Sequence, residues 1–573
     1  MRVDFRLEGM TCLDCARTLE RALRAVRGVE SAEVSYPAKS ASVVAADDTS
    51  TDELLRAVER AGYRAELADE SRGNAGHDDR ANVVPVRPSA RRTVNTRATR
   101  PKGDRGADYD LLIVGTGGAG MAAAIQASEL GAAAAIVEEA EVVGGTCVNV
   151  GCIPSKNLIE AAHHYHAART GFPGIAACDP ALAWNDIQRQ KQEVVDGLRR
   201  ERYLDVLDAY DGVTLLRGRA EFLDSHRVRV GEREVRARKA ILATGTRPAM
   251  PTIPGLAEVN ALDSTTVMEL EKLPESMIVV GGGSIGLELG HAFSRFGVRV
   301  VVVETLGRIL PNEDAEVSES LADALRSEGM EIHTGVRVTG VGRSERGYTV
   351  TVEEGTLTGE VEAEQLLVAT GRRPNTDGLG LDAAGVRVDR RGFVEVDKYM
   401  RTSNPDVFAA GDVTGGPGYV YVAALQGGIA AQAALSEATR EEPMVDLATV
   451  PRVTFTDPQV AAVGMTEAEA RATGLTTQVT SLSVKYLPRA AVSHRQRGVI
   501  KLVSELGTDR LLGAHIVAPN AGDVIGEAAL AVRFGLTTRD LVSTLHPYLT
   551  WGEGLKLAAQ TFTKDVAKLS CCA

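Results

Sequence analysis

The chain has 573 residues, of which 44% are hydrophobic and 25% are charged, and its formal net charge is -13. This length and composition indicate a globular protein of several domains, and the negative charge argues against a nucleic-acid partner, which needs a surplus of Lys and Arg on one face. The sequence has no uninterrupted apolar run of about 18 residues, and its N-terminus carries alternating charges. We therefore expect neither a membrane span nor a secretory signal, and we predict a cytoplasmic protein.

Residues 1–68 have the pattern of a small independent domain. Strand-like alternation at 3–7, 29–36, 40–46 and 64–67 is interrupted twice by apolar residues at helical spacing. This βαββαβ order predicts a ferredoxin-like fold.

A cysteine pair follows the first predicted strand. Cys12 and Cys15 lie in the loop GMTCLDC, which resembles the metal-binding loop of heavy-metal-associated domains. Two thiolates at this spacing suit a soft ion such as Cu(I) or Hg(II) better than a hard cation. We predict a metal site here, with a thioredoxin-like redox pair as the alternative.

The next segment, residues 69–107, is rich in Gly, Pro, Arg and Asp and has almost no large apolar residues. Such a composition cannot bury enough surface to offset the entropy lost on ordering. We predict a flexible linker, with a loop packed on the main body as the alternative.

The main body begins with an apolar strand and a glycine-rich turn. In this turn Gly115, Gly117, Gly118 and Gly120 lie between the strand and a small-residue helix. Glycines there let the backbone approach a pyrophosphate, which binds at the helix N-terminus. Glu138, about twenty residues further on, is placed to bind a ribose hydroxyl. The pattern predicts a dinucleotide-binding domain.

A second turn of the same kind lies further along the chain. It contains Gly281, Gly283 and Gly286, and its following strand ends at Glu304. Two dinucleotide sites in one chain indicate electron transfer between two cofactors. An acid at Glu304 repels a 2′-phosphate and favours NADH, but Arg308 is close in sequence, so both NADH and NADPH stay open.

Between the two turns lies CVNVGC, which runs from Cys147 to Cys152 and precedes a helical pattern. The positive end of a helix dipole lowers the pKa of a thiol and favours the thiolate. Close cysteine pairs in a reducing compartment are more often redox-active or metal-binding than structural. We predict a redox-active pair, with two inert buried cysteines as the alternative.

The two turns and the motifs GGTCVNVGCIPSK, ATGTRP, ATGRRPN and DVFAAGD resemble the flavoprotein disulfide reductase family, which includes glutathione reductase and dihydrolipoyl dehydrogenase. The resemblance implies an α/β protein with two doubly wound dinucleotide-binding domains and an α+β dimerisation domain. The expected boundaries are 108–255 for the first part of the FAD domain, 256–373 for the NAD(P) domain, 374–450 for the second part of the FAD domain and 451–573 for the dimerisation domain.

The same resemblance implies FAD at the first turn and NAD(P)H at the second. It makes Cys152 the thiolate beside the flavin and Cys147 the interchange thiol. It also pairs Lys156 with Glu288 near the flavin N5. The residues expected at the two cofactors, from their places in these motifs, are Gly115, Gly117, Gly118, Gly120, Glu138, Gly145, Thr146, Lys156, Thr244, Gly245, Gly281, Gly283, Ile285, Gly286, Glu304, Gly371, Gly411 and Asp412.

The chain ends with a third cysteine pair, Cys571 and Cys572. Adjacent thiols are strained when joined as a disulfide, so we expect a reduced pincer for a soft metal rather than an accidental tail. With this pair the chain resembles the mercuric reductases, which implies reduction of thiol-bound Hg(II) to Hg(0) and transfer of the metal from one subunit's terminal pair to the redox pair of the other. The implied partners are a second copy in a homodimer, Hg(II)–thiol complexes, and a membrane mercury transporter or small mercury-binding protein.

Two tyrosines and a histidine match the same families. The resemblance places Tyr203 and Tyr548 at the site, where their phenols can bond thiolates or assist the metal. In disulfide reductases the histidine of the second segment is the acid/base and is backed by a Glu five residues later. Here His546 is retained but Trp551 takes the place of that acid, so an acid/base role for His546 stays an open expectation.

Two other functions stay open at this point. A disulfide reductase similar to dihydrolipoyl dehydrogenase is favoured by Glu304 and His546 and opposed by Tyr548 and the terminal cysteines. A metal-binding chaperone, in which the flavoprotein body is incidental, would follow from the N-terminal cysteine pair alone.

Overall fold

The computed structural model describes residues 106–355, 357–436 and 444–568 and, nearer the N-terminus, 2–8, 19, 22–24, 26, 28–35, 40–46, 49–60 and 63–67. The chain divides into two compact units, residues 1–95 and 96–573. The division falls inside the predicted linker, and each unit is described by itself below.

The N-terminal unit contains a four-stranded antiparallel sheet and a helix. Its elements are β1 (Arg2–Glu8), β2 (Val29–Ser35), β3 (Ser40–Ala45), α1 (Thr51–Arg60) and β4 (Arg64–Leu67), and the strand order is β2-β3-β1-β4. Side chains alternate between buried and more exposed along β3, because one face of the sheet covers a core that includes Phe5, Leu54 and Val58. The predicted ferredoxin-like class is confirmed, and the first predicted helix, around Leu19 and Leu23, lies partly outside the described residues.

The second unit opens with a sheet whose central strands are parallel. Its strands are β5 (Tyr109–Val114), β6 (Ala134–Glu138), β7 (Val213–Arg217), β8 (Ala220–Phe222), β9 (Arg227–Val230) and β10 (Arg233–Leu242), in the order β7-β6-β5-β10-β9-β8. The last four residues of β5 are all buried, as expected for a parallel strand covered on both faces. The helical elements between these strands are α2 (Gly118–Glu129), α3 (Gly145–Val150), α4 (Cys152–Thr170), α5 (Trp184–Arg199), a π-helical turn (Arg200–Leu204) and α6 (Asp205–Asp208).

A second parallel sheet follows, with strand order β14-β13-β12-β18. An antiparallel three-stranded sheet, β15-β16-β17, is inserted before its last strand. The elements are β11 (Thr246–Pro248), β12 (Ser276–Val280), α7 (Ser284–Arg295), β13 (Arg299–Glu304), α8 (Ala315–Ser327), β14 (Glu331–Thr334), β15 (Arg337–Ser344), β16 (Gly347–Glu354), β17 (Leu357–Ala363), β18 (Gln365–Val368) and β19 (Arg372–Pro374).

The chain then returns to the first sheet. The short strand β20 (Val407–Ala409) pairs in parallel with β10, and the helix α9 (Val420–Leu435) packs on α2. The helices approach so closely that a Cβ on Gly427 would lie 2.0 Å from the carbonyl oxygen of Ala119. This return brings residues from two distant parts of the chain to the carboxyl edge of one sheet.

The last region is an α+β layer built on a five-stranded antiparallel sheet in the order β21-β22-β25-β24-β23. Its elements are β21 (Arg452–Thr454), β22 (Gln459–Gly464), α10 (Glu467–Ala472), β23 (Thr477–Ser483), α11 (Pro488–Val492), β24 (Val499–Glu505), β25 (Leu511–Ala518), α12 (Ala521–Arg533), α13 (Thr538–Ser543) and α14 (Glu553–Gln560). The predicted α/β class with an α+β C-terminal region is confirmed. In the part of the chain that the structure describes, no helix has the length and apolar character needed to cross a membrane.

Candidate active site

The first glycine turn connects β5 to α2 and leaves room for a ligand against its backbone. Gly115 has a φ of +108°, and a Cβ on Gly120 would lie 1.9 Å from the carbonyl oxygen of Gly115, so both positions require glycine. A Cβ on Gly117 would meet nothing closer than 3.9 Å, which marks the open side of the turn. Helix α2 begins here without a side-chain cap, so its first N–H groups face the same opening. The turn therefore fits the pyrophosphate of FAD.

Other residues expected at FAD lie on neighbouring elements of the first sheet. Thr244 follows β10 beside the turn, since a Cβ on Gly115 would lie 3.3 Å from its nitrogen. Asp412, just after β20, accepts a hydrogen bond of 3.0 Å from Thr246. Gly411 has a φ of +79° and donates from its backbone to Gln426 at 2.8 Å. The carboxyl edge of this sheet therefore gathers polar groups from both parts of the predicted FAD domain.

The second glycine turn, between β12 and α7, repeats the first. Gly281 has a φ of +115°, and a Cβ on Gly286 would lie 2.2 Å from the carbonyl oxygen of Gly281. A Cβ on Gly283 would meet nothing within 4 Å, and Ile285 is exposed next to it. Beyond β18, Gly371 has a φ of +138° with open space around it. These features fit a second dinucleotide, as expected for NAD(P)H.

Glu304, at the end of β13, is hydrogen-bonded to the backbone of the second turn. The two carboxylate oxygens of Glu304 accept hydrogen bonds of 2.7 Å from the backbone of Gly282 and of Leu306. Arg308 donates instead to the carbonyl oxygens of Pro311 and Glu313. Glu304 thus faces the turn, where it was expected from the sequence.

The two thiols of CVNVGC lie on consecutive helices. Cys147 is in α3 and Cys152 is the first residue of α4. A hydrogen bond from the Cys147 thiol, assisted by the charge of Lys156, lowers the pKa of Cys152 to about 7 despite partial burial. The same hydrogen bond, with burial and the neighbouring sulfur, raises the pKa of Cys147. One thiol is therefore set up as the thiolate and the other as its proton-bearing partner.

Lys156 and Glu288 meet next to this pair, as expected. The Lys156 ammonium lies 2.6 Å from Oε2 of Glu288, and Oε1 of Glu288 accepts a hydrogen bond of 2.9 Å from the backbone N–H of Phe455. The ammonium also lies 4.7 Å from the centre of the Phe455 ring. The sequence analysis missed Phe455, because nothing in its local pattern distinguishes it from a core residue of the C-terminal region.

Tyr203 lies on the π-helical turn that continues α5, a geometry often found at functional sites. Burial and the nearby sulfurs of Cys147 and Cys152 raise its pKa to about 12, so the phenol keeps its proton and can donate a hydrogen bond to a thiolate. A Cβ on Gly144 would lie 3.6 Å from the Tyr203 ring. The expected proximity of this phenol to the thiol pair is therefore present in the structure.

A second missed contact ties the thiol segment to the same helix. Asn149 donates hydrogen bonds of 2.9 Å to the carbonyl oxygens of Val143 and Gly145, and its own oxygen accepts a bond of 2.8 Å from Arg199 at the end of α5. The amide therefore ties α3, which includes Gly145 and Thr146, to the end of α5. The only sequence signal was a polar residue between the two cysteines.

His546 and Tyr548 lie on the segment between α13 and α14. The side chain of His546 is 5% exposed, and Nε2 lies 2.7 Å from Oε1 of Glu527 on α12. Tyr548 is 49% exposed. Trp551, in the place of the family acid, is buried in the core of the C-terminal region and so cannot serve as a proton partner.

The remaining predicted metal ligands, Cys12, Cys15, Cys571 and Cys572, lie outside the residues that the structure describes.

Comparison with known proteins places these features in a family. The family described as pyridine nucleotide-disulphide oxidoreductase matches residues 109–427, its dimerisation domain matches 450–559, and the heavy-metal-associated domain matches 4–64.

Curated relatives include mercuric reductases from three bacteria. The Staphylococcus aureus protein is 40% identical over 99% of this chain and 98% of its own length. The Acidithiobacillus ferrooxidans protein is 40% identical over 100% and 98%, and the Streptomyces lividans protein is 45% identical over 81% and 98%. Among solved structures, the HOCl-induced flavoprotein disulfide reductase RclA from Escherichia coli aligns with a TM-score of 0.71 and 30% identity over 80% of this chain and 100% of its own.

Proposed function

Because the chain belongs to the pyridine nucleotide-disulphide oxidoreductase family and, within it, to the mercuric reductases, we propose that Cys147 and Cys152 are the thiols at which it reduces Hg(II). The enzyme is an NAD(P)H-dependent flavoprotein that converts Hg(II) to Hg(0). The observation that carries the assignment is the pair of free thiols on α3 and at the start of α4 beside the Lys156–Glu288 ion pair, where the Cys147 thiol lowers the pKa of Cys152 to about 7. Thiolates are the preferred ligands of soft metal ions.

Bound FAD supplies a two-electron carrier between NAD(P)H and the thiol pair. The overall reaction balances as NAD(P)H and Hg(II) giving NAD(P)⁺, H⁺ and Hg(0). The turn around Gly117 would hold the FAD pyrophosphate and the turn around Gly283 that of NAD(P)H, since both leave the backbone open to a ligand. Asp412 would bind the FAD chain from the edge of the same sheet.

The chain's own groups account for metal capture at the thiol pair. The Cys152 thiolate binds Hg(II) first and displaces one thiolate of the incoming complex. Cys147 then passes its proton to the second displaced thiolate as its sulfur becomes the second ligand. Lys156 holds negative charge on Cys152, and Glu288 fixes Lys156 through an ion pair of 2.6 Å. Burial and the nearby sulfurs raise the pKa of Tyr203 to about 12, so its phenol stays protonated and would serve as a hydrogen-bond donor to a sulfur at this site.

The thiol pKa predicts a pH dependence with a definite sign. A group that reacts as its anion loses activity as the pH falls through its pKa, so the rate of Hg(II) capture at limiting Hg(II) should fall as the pH drops below about 7. Lys156→Met removes the charge that stabilises the thiolate, so the fall in the capture rate should begin at a higher pH. Lys156→Arg keeps the charge and is the control. If the rate of Lys156→Met falls at the same pH as that of the wild type, Lys156 does not stabilise the thiolate.

We place the terminal cysteines and the N-terminal pair upstream of the redox pair. Cys571 and Cys572 of the partner subunit would deliver Hg(II), and the match to the family's dimerisation domain suggests the homodimer that this needs. Cys12 and Cys15 would raise the local concentration of the metal through the linker. The proposed setting is the cytoplasm, with a membrane mercury transporter or small mercury-binding protein as the source of the ion.

The test is the rate of NADH and NADPH oxidation with and without Hg(II) in excess thiol. Cys147→Ala or Cys152→Ala should abolish the Hg(II)-dependent rate. The exposed Cys178 provides the control, because Cys178→Ala removes a thiol away from the site and should change nothing. A Cys571→Ala/Cys572→Ala variant with an unchanged rate would exclude the proposed delivery.

The rival functions give different results in the same assay. A disulfide reductase would reduce lipoamide faster than Hg(II), and Glu304 and His546 are the features that favour it. A metal-binding chaperone would bind Hg(II) without oxidising NAD(P)H.

A further inference from the structure

The segment between α13 and α14, residues 544–552, presents Tyr548 at the surface of the C-terminal region. Tyr548 is 49% exposed and Leu545 is 92% exposed, whereas Trp551 at the end of the segment is buried. Leu549 has a φ of +63°, a conformation that costs a non-glycine residue energy and persists only where its surroundings hold it. Contacts on both sides of Tyr548 must therefore hold the backbone in this conformation.

On the C-terminal side the segment is fixed by α14. The backbone N–H of Leu549 donates a hydrogen bond of 3.3 Å to Oε2 of Glu553, and Oγ1 of Thr550 accepts one of 3.3 Å from the backbone N–H of Glu553. The side chain of Thr550 also donates to the carbonyl oxygen of Pro547 at 2.8 Å.

On the N-terminal side the segment is fixed by His546. Its Nε2 lies 2.7 Å from Oε1 of Glu527 on α12, and its Nδ1 lies 3.0 Å from the carbonyl oxygen of Thr544. Each ring nitrogen therefore has a polar partner within the C-terminal region, and the two contacts fix the orientation of the ring. With the side chain 5% exposed and both nitrogens engaged inside its own subunit, neither nitrogen is presented to a substrate.

We propose that Glu527 and His546 form a latch that fixes the segment carrying Tyr548, and that His546 is a positioning residue rather than a proton donor to substrate. Glu527, on α12, gives His546 the carboxylate partner that Trp551 cannot provide. In this pair the carboxylate holds the ring in place and does not assist proton transfer to a substrate. The proposal rests on the proposed function in assigning Tyr548 to the handling of Hg(II). It differs from the acid/base role expected for His546 from the sequence.

The kinetic test uses Glu527→Gln, Glu527→Ala, His546→Ala and the double variant Glu527→Ala/His546→Ala, all in the full-length flavoprotein. The matched control is Asp523→Asn, which removes an exposed acid one turn earlier on α12. We expect KM for Hg(II) in excess thiol to rise about tenfold in Glu527→Ala and in His546→Ala, with kcat changed much less. The double variant should be no worse than either single variant, because both break one contact.

A spectroscopic readout tests the latch independently of activity. The chain has 2 tryptophans, so a Trp184→Phe background leaves Trp551, at the end of the segment, as the reporter. Glu527→Gln and Glu527→Ala should shift the Trp551 emission to longer wavelength, and Asp523→Asn should not. Unshifted emission in both Glu527 variants would overturn the latch.

The kinetic outcomes separate the two roles of His546. A large loss of kcat in His546→Ala, together with unchanged kcat and KM in Glu527→Ala, would overturn the proposal and restore an acid/base role for His546. If the wild-type protein shows no Hg(II)-dependent oxidation of NAD(P)H, the proposed function fails, while the fluorescence result still decides whether the latch exists.

Discussion

The two glycine turns of the second unit share their glycine spacing but are tied to different surroundings. In the first, the buried Thr116 hydroxyl bonds to Glu138 and accepts a hydrogen bond of 2.9 Å from the backbone of Gly144, which leads into the thiol segment. In the second, Gly282 has no side chain and its N–H donates directly to Glu304 at 2.7 Å.

The difference is that the first turn is hydrogen-bonded to the thiol segment, whereas the second is hydrogen-bonded to Glu304 and to the C-terminal region. The first turn is coupled through one hydroxyl to the segment that begins at Gly144 and carries both thiols. In the second, the carbonyl group of Gly282 accepts a hydrogen bond of 2.9 Å from Leu310, and the Ser284 hydroxyl lies 2.7 Å from the hydroxyl of Thr454 in the C-terminal region. One arrangement suits a cofactor that stays beside the thiols, and the other suits a nucleotide that must dissociate in every turnover.

The largest effect is expected where the two turns are alike. Gly120→Ala places a Cβ 1.9 Å from a backbone oxygen, and Gly286→Ala places one at 2.2 Å, so the backbone must move in both. We expect each to lower the free energy of unfolding by about 3 kcal/mol or more, measured by urea denaturation. Gly197→Ala, on the exposed side of α5 with nothing near its Cβ, is the control and should be neutral or slightly stabilising. Equal stability of Gly120→Ala and the control would refute the packing argument.

The next largest effect separates the turns by their ligands. Gly283→Ala meets nothing within 4 Å and Gly117→Ala meets only Gly145, at 3.9 Å, so both should fold. The added methyl group occupies the space expected for a pyrophosphate. Gly283→Ala should raise KM for NAD(P)H about tenfold or more with FAD content unchanged, and Gly117→Ala should lower FAD content. The same flavin loss in both variants would contradict the assignment of two different cofactors.

Thr116→Ala tests the hydroxyl that distinguishes the first turn. It removes the link between Glu138 and Gly144, and the loss of a buried hydrogen bond costs about 1–2 kcal/mol. FAD should dissociate several-fold faster on dilution, monitored by flavin fluorescence. Thr116→Ser keeps the hydroxyl and should behave as the wild type, and an equal defect in both variants would show that the methyl group, not the hydroxyl, is responsible.

The smallest expected effect concerns nucleotide preference. Glu304→Gln removes the negative charge while leaving one oxygen to accept from the turn, so the ratio of kcat/KM for NADPH over NADH should rise a few-fold. Glu138→Gln, at the equivalent place in the first turn, is the control and should leave the ratio unchanged. An unaltered ratio in Glu304→Gln would mean that Arg308 or another group sets the preference.

Much of the fold and part of the site could be predicted from the chain. The glycine turns, the ferredoxin-like strand order and the position of Cys152 at a helix start all follow from local pattern. Phe455, Arg199 and Glu527 could not be predicted, because each acts on a group far away in sequence and each resembles an ordinary core or surface residue where it stands.

The sequence by itself determined the backbone at the two turns and the spacing of the cysteines, because steric exclusion at a glycine and the reach between neighbouring thiols are local properties. Only the tertiary structure decided which charges meet. Lys156 and Glu288 are 132 positions apart, and His546, on the segment between α13 and α14, is 19 positions from Glu527 on α12. Hydrogen bonds and pKa shifts depend on separations of a few ångströms, which packing alone establishes.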